Sequence, residues 1–143
     1  LSAQAKLLRT LQEGEVRSVG SDQSGHVDVR VIAATHRDLR QRVKDGQFRE
    51  DLLFRLEVIE IVIPPLRERP EDLDTLVAHG LVRIGERQGR RVQGVTAQAM
   101  GVLRAHSWPG NVRELLNVLE RAMVFTSGDF IDVADLPNHL LGT

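Results

Sequence analysis

The stretch FREDLLFRL, residues 48 to 56, sets Arg49 and Arg55 six positions apart among side chains that are mostly apolar. A guanidinium stays charged at any physiological pH and presents a planar fork of donors suited to carboxylates and phosphates. At about 100° per residue the two arginines lie about 120° apart around an ideal helix, so one straight helix does not aim both at one point. One of them therefore belongs at the helix edge. The plain alternative is an i,i+4 pair between Arg55 and Asp51 with Arg49 solvated, and spacing alone leaves both readings open.

A second unusual cation is Arg113 in WPGNVREL, residues 108 to 115. Pro109 and Gly110 precede Asn111, which reads as a helix cap, so Arg113 falls in the first turn. The helix dipole favours anions there, and a cation calls for a carboxylate elsewhere in the fold or a bound phosphate. Trp108 reads as a packing anchor. A third position of interest is the end of VRVIAAT, where Thr35 and His36 follow a continuously apolar run. In open α/β sheets ligands sit beyond the carboxyl ends of strands.

The elements that must position these residues change in texture near Pro64 and Pro65. Before the prolines, strand and helix patterns alternate. Ser2 is placed to cap a helix carrying Leu7, Leu8 and Leu11, closed by Gly14. A pair of strand-like arms follows around a Gly/Ser/Asp turn, the first with Val16 and Val19, the second with Val27, Val29 and Val31. Residues 31 to 34 predict a strand buried on both faces of a parallel sheet, and VIEIVI, residues 58 to 63, a second one. Between them RDLRQRVKDG predicts a short charged helix ended by Gly46, and FREDLLFRL another. From Pro70 the pattern is helical, with Leu73, Leu76, Val77, Leu81 and Ile84 at the 3.6-residue period. Thr96 caps a second helix of this part, Asn111 a third with Leu115, Leu119 and Met123 on its stripe, and SGDFIDVADLPNHLLGT predicts a turn and a short helix. The fold class is α/β joined to an all-helical part, with the boundary at 65/66.

Composition narrows the function classes. The 143 residues hold no cysteine, which excludes disulfides and thiol chemistry and fits a reducing compartment. A net charge of −1 argues against bulk electrostatic binding of nucleic acid, so any anion site is local. The longest apolar runs are broken by Glu or Pro and fall short of the roughly 20 residues that span a bilayer. There is no GxxxxGK[ST] loop, no strand ending in paired acids, no HExxH and no cluster of Cys or His, so no metal site is expected and the chain alone should not turn over a nucleotide.

RVIAATHRDL, FREDLLFRLEVIEIVIPPLRERPEDL and WPGNVRELLNVLERA, in this order and at this spacing, closely resemble the C-terminal half of the AAA+ ATPase domain of sigma-54-dependent transcriptional activators. These NtrC-like enhancer-binding proteins include two-component-type response regulators. LSAQAKLLRTLQEGEVRSVG resembles the stretch after that family's Walker B acids, so the match runs nearly end to end. The resemblance implies residues 1–65 as the end of the α/β subdomain and 66–143 as the helical lid. It implies that Arg49 and Arg55 are arginine fingers reaching the γ-phosphate of ATP on the neighbouring subunit. Thr35 and His36 fall at what resembles sensor I, and Arg113 at sensor II, with Val112 against the adenosine. Many members carry Asn after the sensor I Thr; His36 stands there in this sequence, and a neutral imidazole differs from an amide in reach and protonation. The implied cofactor is ATP with Mg. The implied partners are further copies in a hexameric or heptameric ring, sigma-54 RNA polymerase, and DNA through a domain after Thr143, all in the cytoplasm. The P-loop and the sigma-54 contact loop would lie before residue 1.

Two other readings compete. Helices over 97–107 and 111–125 with a short turn resemble a DNA-binding helix-turn-helix headed by Asn111 and Arg113, although Glu114 and Glu120 share the second helix and no basic patch accompanies it. A scaffold fragment of another AAA+ protein is the third, disfavoured by FREDLLFRL together with PPLRERPEDL. A chain holding part of a sheet is also expected to expose apolar strand surface and to self-associate.

Overall fold

A computed structural model describes residues 2–17 and 24–142. The chain divides into two units, Leu1–Val62 and Ile63–Thr143. In the first, α1 (Ser2–Glu13) buries Leu8, while Leu7 stays 44% exposed. Ser2 is the helix's first residue and not the cap expected of it. Gly14 ends the helix as expected, with φ +66° and its N–H donating to the Thr10 carbonyl at 3.0 Å.

Among the described residues the two expected arms pair over three residues each, and Val27, Val29 and Val31 lie beyond the ladder. Strand β1 (Glu15–Arg17) runs antiparallel to β2 (Ser24–His26), with Glu15 opposite His26. Val19 and the turn lie outside the described residues. Helix α2 (Leu39–Lys44) is capped by Asp38, whose carboxylate accepts the Gln41 N–H at 2.9 Å, and Gly46 follows it at φ +69°. Helix α3 (Glu50–Leu56) buries Leu52 and Leu53. With Leu8 these two make the small apolar centre of the unit.

The two expected buried strands do not form ladders. Residues 29–34 and 58–63 carry no strand pairing, and Ile32 and Ile61 are 84% and 81% exposed. A doubly buried strand needs a hydrogen-bonding neighbour along its edge and a layer over each face. The described residues supply neither, so the apolar continuity of these segments reflects a requirement for surroundings, not a local preference.

The second unit is built around α4 (Leu73–Gln88), α5 (Ala97–Ala105) and α6 (Asn111–Phe125). Their apolar stripes bring Leu73, Val77, Leu81 and Ile84 against Leu103, Leu115, Leu119 and Met123 in one core. α4 and α6 approach closely because Gly80 lies between them; a Cβ there would stand 2.9 Å from Leu116 and 3.0 Å from Leu119. Two 3₁₀ turns, Leu66–Glu68 and Pro70–Asp72, precede α4. Thr96 caps α5 as expected, accepting the Ala99 N–H at 3.3 Å.

This unit is not all-helical. β3 (Gly94–Val95) pairs in parallel with β4 (Phe130–Ile131), and the closing segment makes two 3₁₀ turns, Val133–Asp135 and Asn138–Leu140, where a short helix was expected. Asp132 organises the closure through a capping box with Asp135 and by accepting the Thr96 hydroxyl at 2.8 Å. The Val133 N–H and then the Thr96 hydroxyl hold its carboxyl below the usual range.

α4 ends at Gly89, φ +65°, and both Gly89 and Arg90 donate backbone N–H groups to the Gly85 carbonyl. This closure folds the chain back so far that a Cβ on Gly85 would sit 2.6 Å from the Arg90 carbonyl oxygen. The obstruction is backbone and cannot rotate away. Gly85→Ala is therefore expected to destabilise this unit by about 1–3 kcal/mol, the usual cost of overpacking. Chemical denaturation monitored by circular dichroism would show it as a lower midpoint with an unchanged slope.

Candidate functional site

Arg49 stands just outside α3 as its N-cap residue, in extended conformation (φ −79°, ψ 134°), and Arg55 lies in the last turn. The two arginines thus leave the element from opposite ends, consistent with their poor alignment on an ideal helix. Arg49 makes a forked pair with Asp51, Nε to Oδ1 at 3.0 Å and Nη2 to Oδ2 at 2.7 Å. Asp51 also accepts the Leu52 N–H at 2.8 Å, one of the donors left open at the start of α3. The Arg49 fork is the main cause of a depressed Asp51 carboxyl, and Asp51 raises the Arg49 guanidinium in turn.

The pairing expected for the plain alternative is different: Asp51 bonds Arg49, not Arg55. Arg55 instead donates through Nε and Nη2 to the carbonyl of Leu11, at 3.3 and 2.9 Å. Leu11 belongs to the last turn of α1, where carbonyls lack helical partners, so the cation caps that helix and meets the negative end of its dipole. Both arginine side chains are exposed. A further ion pair, Arg40 to Glu57 at 2.6 Å, ties α2 to the end of α3 and raises the Arg40 guanidinium.

Thr35 and His36 sit at a bend before α2, both exposed. The Thr35 hydroxyl accepts the Arg37 N–H at 3.1 Å, which leaves its own proton available for another acceptor.

In the second unit, Val112 and Arg113 occupy the first turn of α6. The N-cap there is Gly110, not Asn111 as expected. Asn111 takes a left-handed φ of +53°, and its side-chain oxygen accepts the Leu66 N–H at 2.8 Å, pinning the start of the unit. Glu114 reaches back to the Gly110 N–H at 2.7 Å and so supplies the anion that the helix start favours. A Cβ at position 110 would stand 2.7 Å from the Glu114 Cβ, so glycine is required for this approach. None of the ion pairs among the described residues includes Arg113. Its side chain is exposed and borders two grooves. One, of about 370 Å³, also has Arg83, Arg87, Val112 and Glu120 on its walls; the other, of about 400 Å³, has Gly110, Arg121 and His139. Val112 is half-buried in the first of these, beside Arg113. Arg113 and Val112 thus put a cation and an apolar side chain side by side on the wall of one groove.

The sequence did not single out Asp51 as the partner of Arg49, Glu114 as the anion at α6, or Gln4, whose side-chain amide meets the chain just before α3. The first had a local signal, an acid two residues beyond an N-cap, and so did the second, in the Asn-x-x-Glu spacing of residues 111 to 114; Gln4 had none.

The fold and these residues define a AAA+ segment with its lid. Residues 67–143 match the AAA+ ATPase lid domain family and residues 1–62 the sigma-54 interaction domain family. The chain belongs to the sigma-54-dependent activators of the AAA+ class. Among its relatives, the transcriptional regulatory protein ZraR of Klebsiella oxytoca is 51% identical over 98% of this chain and 32% of that protein. The regulatory protein AtoC of Escherichia coli (strain K12) is 51% identical over 98% of this chain and 30% of that protein. The chain thus spans about a third of the length of the curated relatives it matches. Crystal structures of NtrX from Brucella abortus in complex with ADP and with ATP align with TM-scores of 0.80 and 0.81 at 39% identity. Each alignment covers 97% of this chain, and 33% and 32% of the respective NtrX chains.

Proposed function

We propose that this chain supplies the arginine fingers and the lid of a ring-forming ATPase that remodels sigma-54 RNA polymerase to activate transcription. The observation that carries the reading is the setting of Arg49 and Arg55. Both are exposed cations leaving one short helix, held among the described residues only by a surface carboxylate and a helix-end carbonyl. Such contacts are readily exchanged for a phosphate, which carries more charge and offers more acceptors. In this reading the fingers reach a nucleotide held by the next subunit, while Arg113 and Val112 face the subunit's own nucleotide. The Thr35 hydroxyl proton and His36 sense the state of the phosphates. ATP with Mg, when bound, supplies the phosphoryl group and its neutralising metal, on residues outside this chain. Residues 1–65 and 66–143 then act as the α/β and lid parts, in a hexamer or heptamer in the cytoplasm, with DNA engaged by another domain.

The helix-turn-helix reading loses ground because the Asn111 side chain is committed to Leu66 and is not free for a base edge. To test the main reading, subunits of the intact ATPase domain carrying Arg49→Ala and Arg55→Ala are mixed with subunits whose P-loop lysine is replaced. Each alone is expected to be inactive and the mixture to recover ATP hydrolysis. If no ratio restores activity although mixed rings form, action across the subunit boundary is wrong.

A further inference from the structure

We propose that Gln4 is a positioning residue for Arg49. Its side-chain oxygen accepts the Arg49 backbone N–H at 3.0 Å, and its side-chain nitrogen donates to the Gln47 carbonyl at 3.1 Å. One amide thereby pairs with the chain on both sides of Phe48, as a neighbouring strand would, across 45 and 43 residues of sequence. These are the residues that set where α3 begins and from which point Arg49 departs.

The start of α3 has need of such a partner. In a capping box the third helical residue returns a carboxylate or amide to the N-cap N–H. Here that residue is Leu52, which has no polar atom, and the N-cap is Arg49, whose own side chain makes no cap bond. Asp51 is occupied by the Arg49 fork and the Leu52 N–H. Gln4 fills the gap from α1. The same helix receives Arg55 on the Leu11 carbonyl, so α1 holds both ends of α3. Only an amide on an arm of this length offers a donor and an acceptor together. Glutamate would turn a carboxylate oxygen toward the Gln47 carbonyl, and methionine would keep the length with neither bond.

The inference rests on the finger reading, and the test separates the two. In the intact ATPase domain, Gln4→Met, Gln4→Glu, Arg49→Ala and Gln4→Met with Arg49→Ala are compared for turnover, KM for ATP, ring assembly, and hydrogen exchange of the Arg49 amide. Gln4→Met and Gln4→Glu are each expected to lower kcat about tenfold or more with KM and assembly retained, since misplacing a catalytic group by an ångström costs up to about a hundredfold. The Arg49 amide should exchange faster in both, and adding Gln4→Met to Arg49→Ala should cost nothing further. Normal turnover in Gln4→Met beside an inactive Arg49→Ala overturns this proposal alone, as does an additive loss in the double variant. Unchanged exchange at Arg49 in Gln4→Met overturns it whatever the activity. Full turnover in Arg49→Ala overturns the finger reading and this proposal with it.

Discussion

Arg49→Ala and Arg55→Ala are each expected to reduce ATP turnover of the assembled ring by about 10³- to 10⁵-fold, the range over which a cation delivered in trans accelerates phosphoryl transfer. The physical reason is that charge developing on the transferred group needs a pre-positioned cation in a site with little water to substitute for it. The two variants should nevertheless differ in stability. Arg49 spends its fork on Asp51 at the surface, where an ion pair contributes little, so its removal should leave melting nearly unchanged. Arg55 caps the last turn of α1 through Leu11, and its loss should also lower the melting temperature of the first unit. Lysine at either position keeps the charge but not the planar fork, and is expected to restore stability before activity. Steady-state hydrolysis at saturating ATP, alongside calorimetry, measures both. Arg49→Ala with turnover within a few-fold of the parent would refute the assignment.

Trp108→Ala is expected to have the largest effect on folding. Trp108 is 2% exposed, and its indole N–H donates to the Leu103 carbonyl at 2.9 Å, satisfying the last turn of α5. His106 packs edge-on against the ring with centroids 4.7 Å apart. The backbone at Trp108 is left-handed, φ +51°, a conformation that bulky residues rarely adopt and that persists only where packing enforces it. Truncation removes that enforcement and leaves a cavity, at a cost of about 3–5 kcal/mol. That is a large share of the roughly 5–15 kcal/mol that holds a domain together. Trp108→Phe, which keeps most of the volume but orphans the Leu103 carbonyl, should cost about 1–3 kcal/mol. Because the turn at 108–111 also sets the start of α6, the alanine variant should, on the proposed reading, also lose nucleotide binding. Far-ultraviolet circular dichroism through a thermal melt would separate the two variants, and equal midpoints would show that the ring volume is not what holds the turn.

Much of this protein was legible in its sequence, and the legible parts share a property. Helices α2 to α6, the Thr96 cap and the turns at Gly14 and Gly46 depend on periodicity and on backbone preferences that act within a few residues. FREDLLFRL and WPGNVREL drew notice because their cations stood where spacing alone left more than one reading open. What the folded structure decided was which partner each group took. Asp51 went to Arg49 because an N-cap residue in extended conformation brings its fork to the second helical residue, which an i,i+4 rule for helix interiors does not describe. Asn111 left the cap to Gly110 because its oxygen had a better use on Leu66, 45 residues away. The two-residue ladder of β3 and β4 is too short to leave a periodic trace. The apolar segments at 29–34 and 58–63 mark the limit from the other side: hydrophobic continuity states that a strand is to be buried, but burial is supplied by neighbours, and no pattern within a segment can provide them.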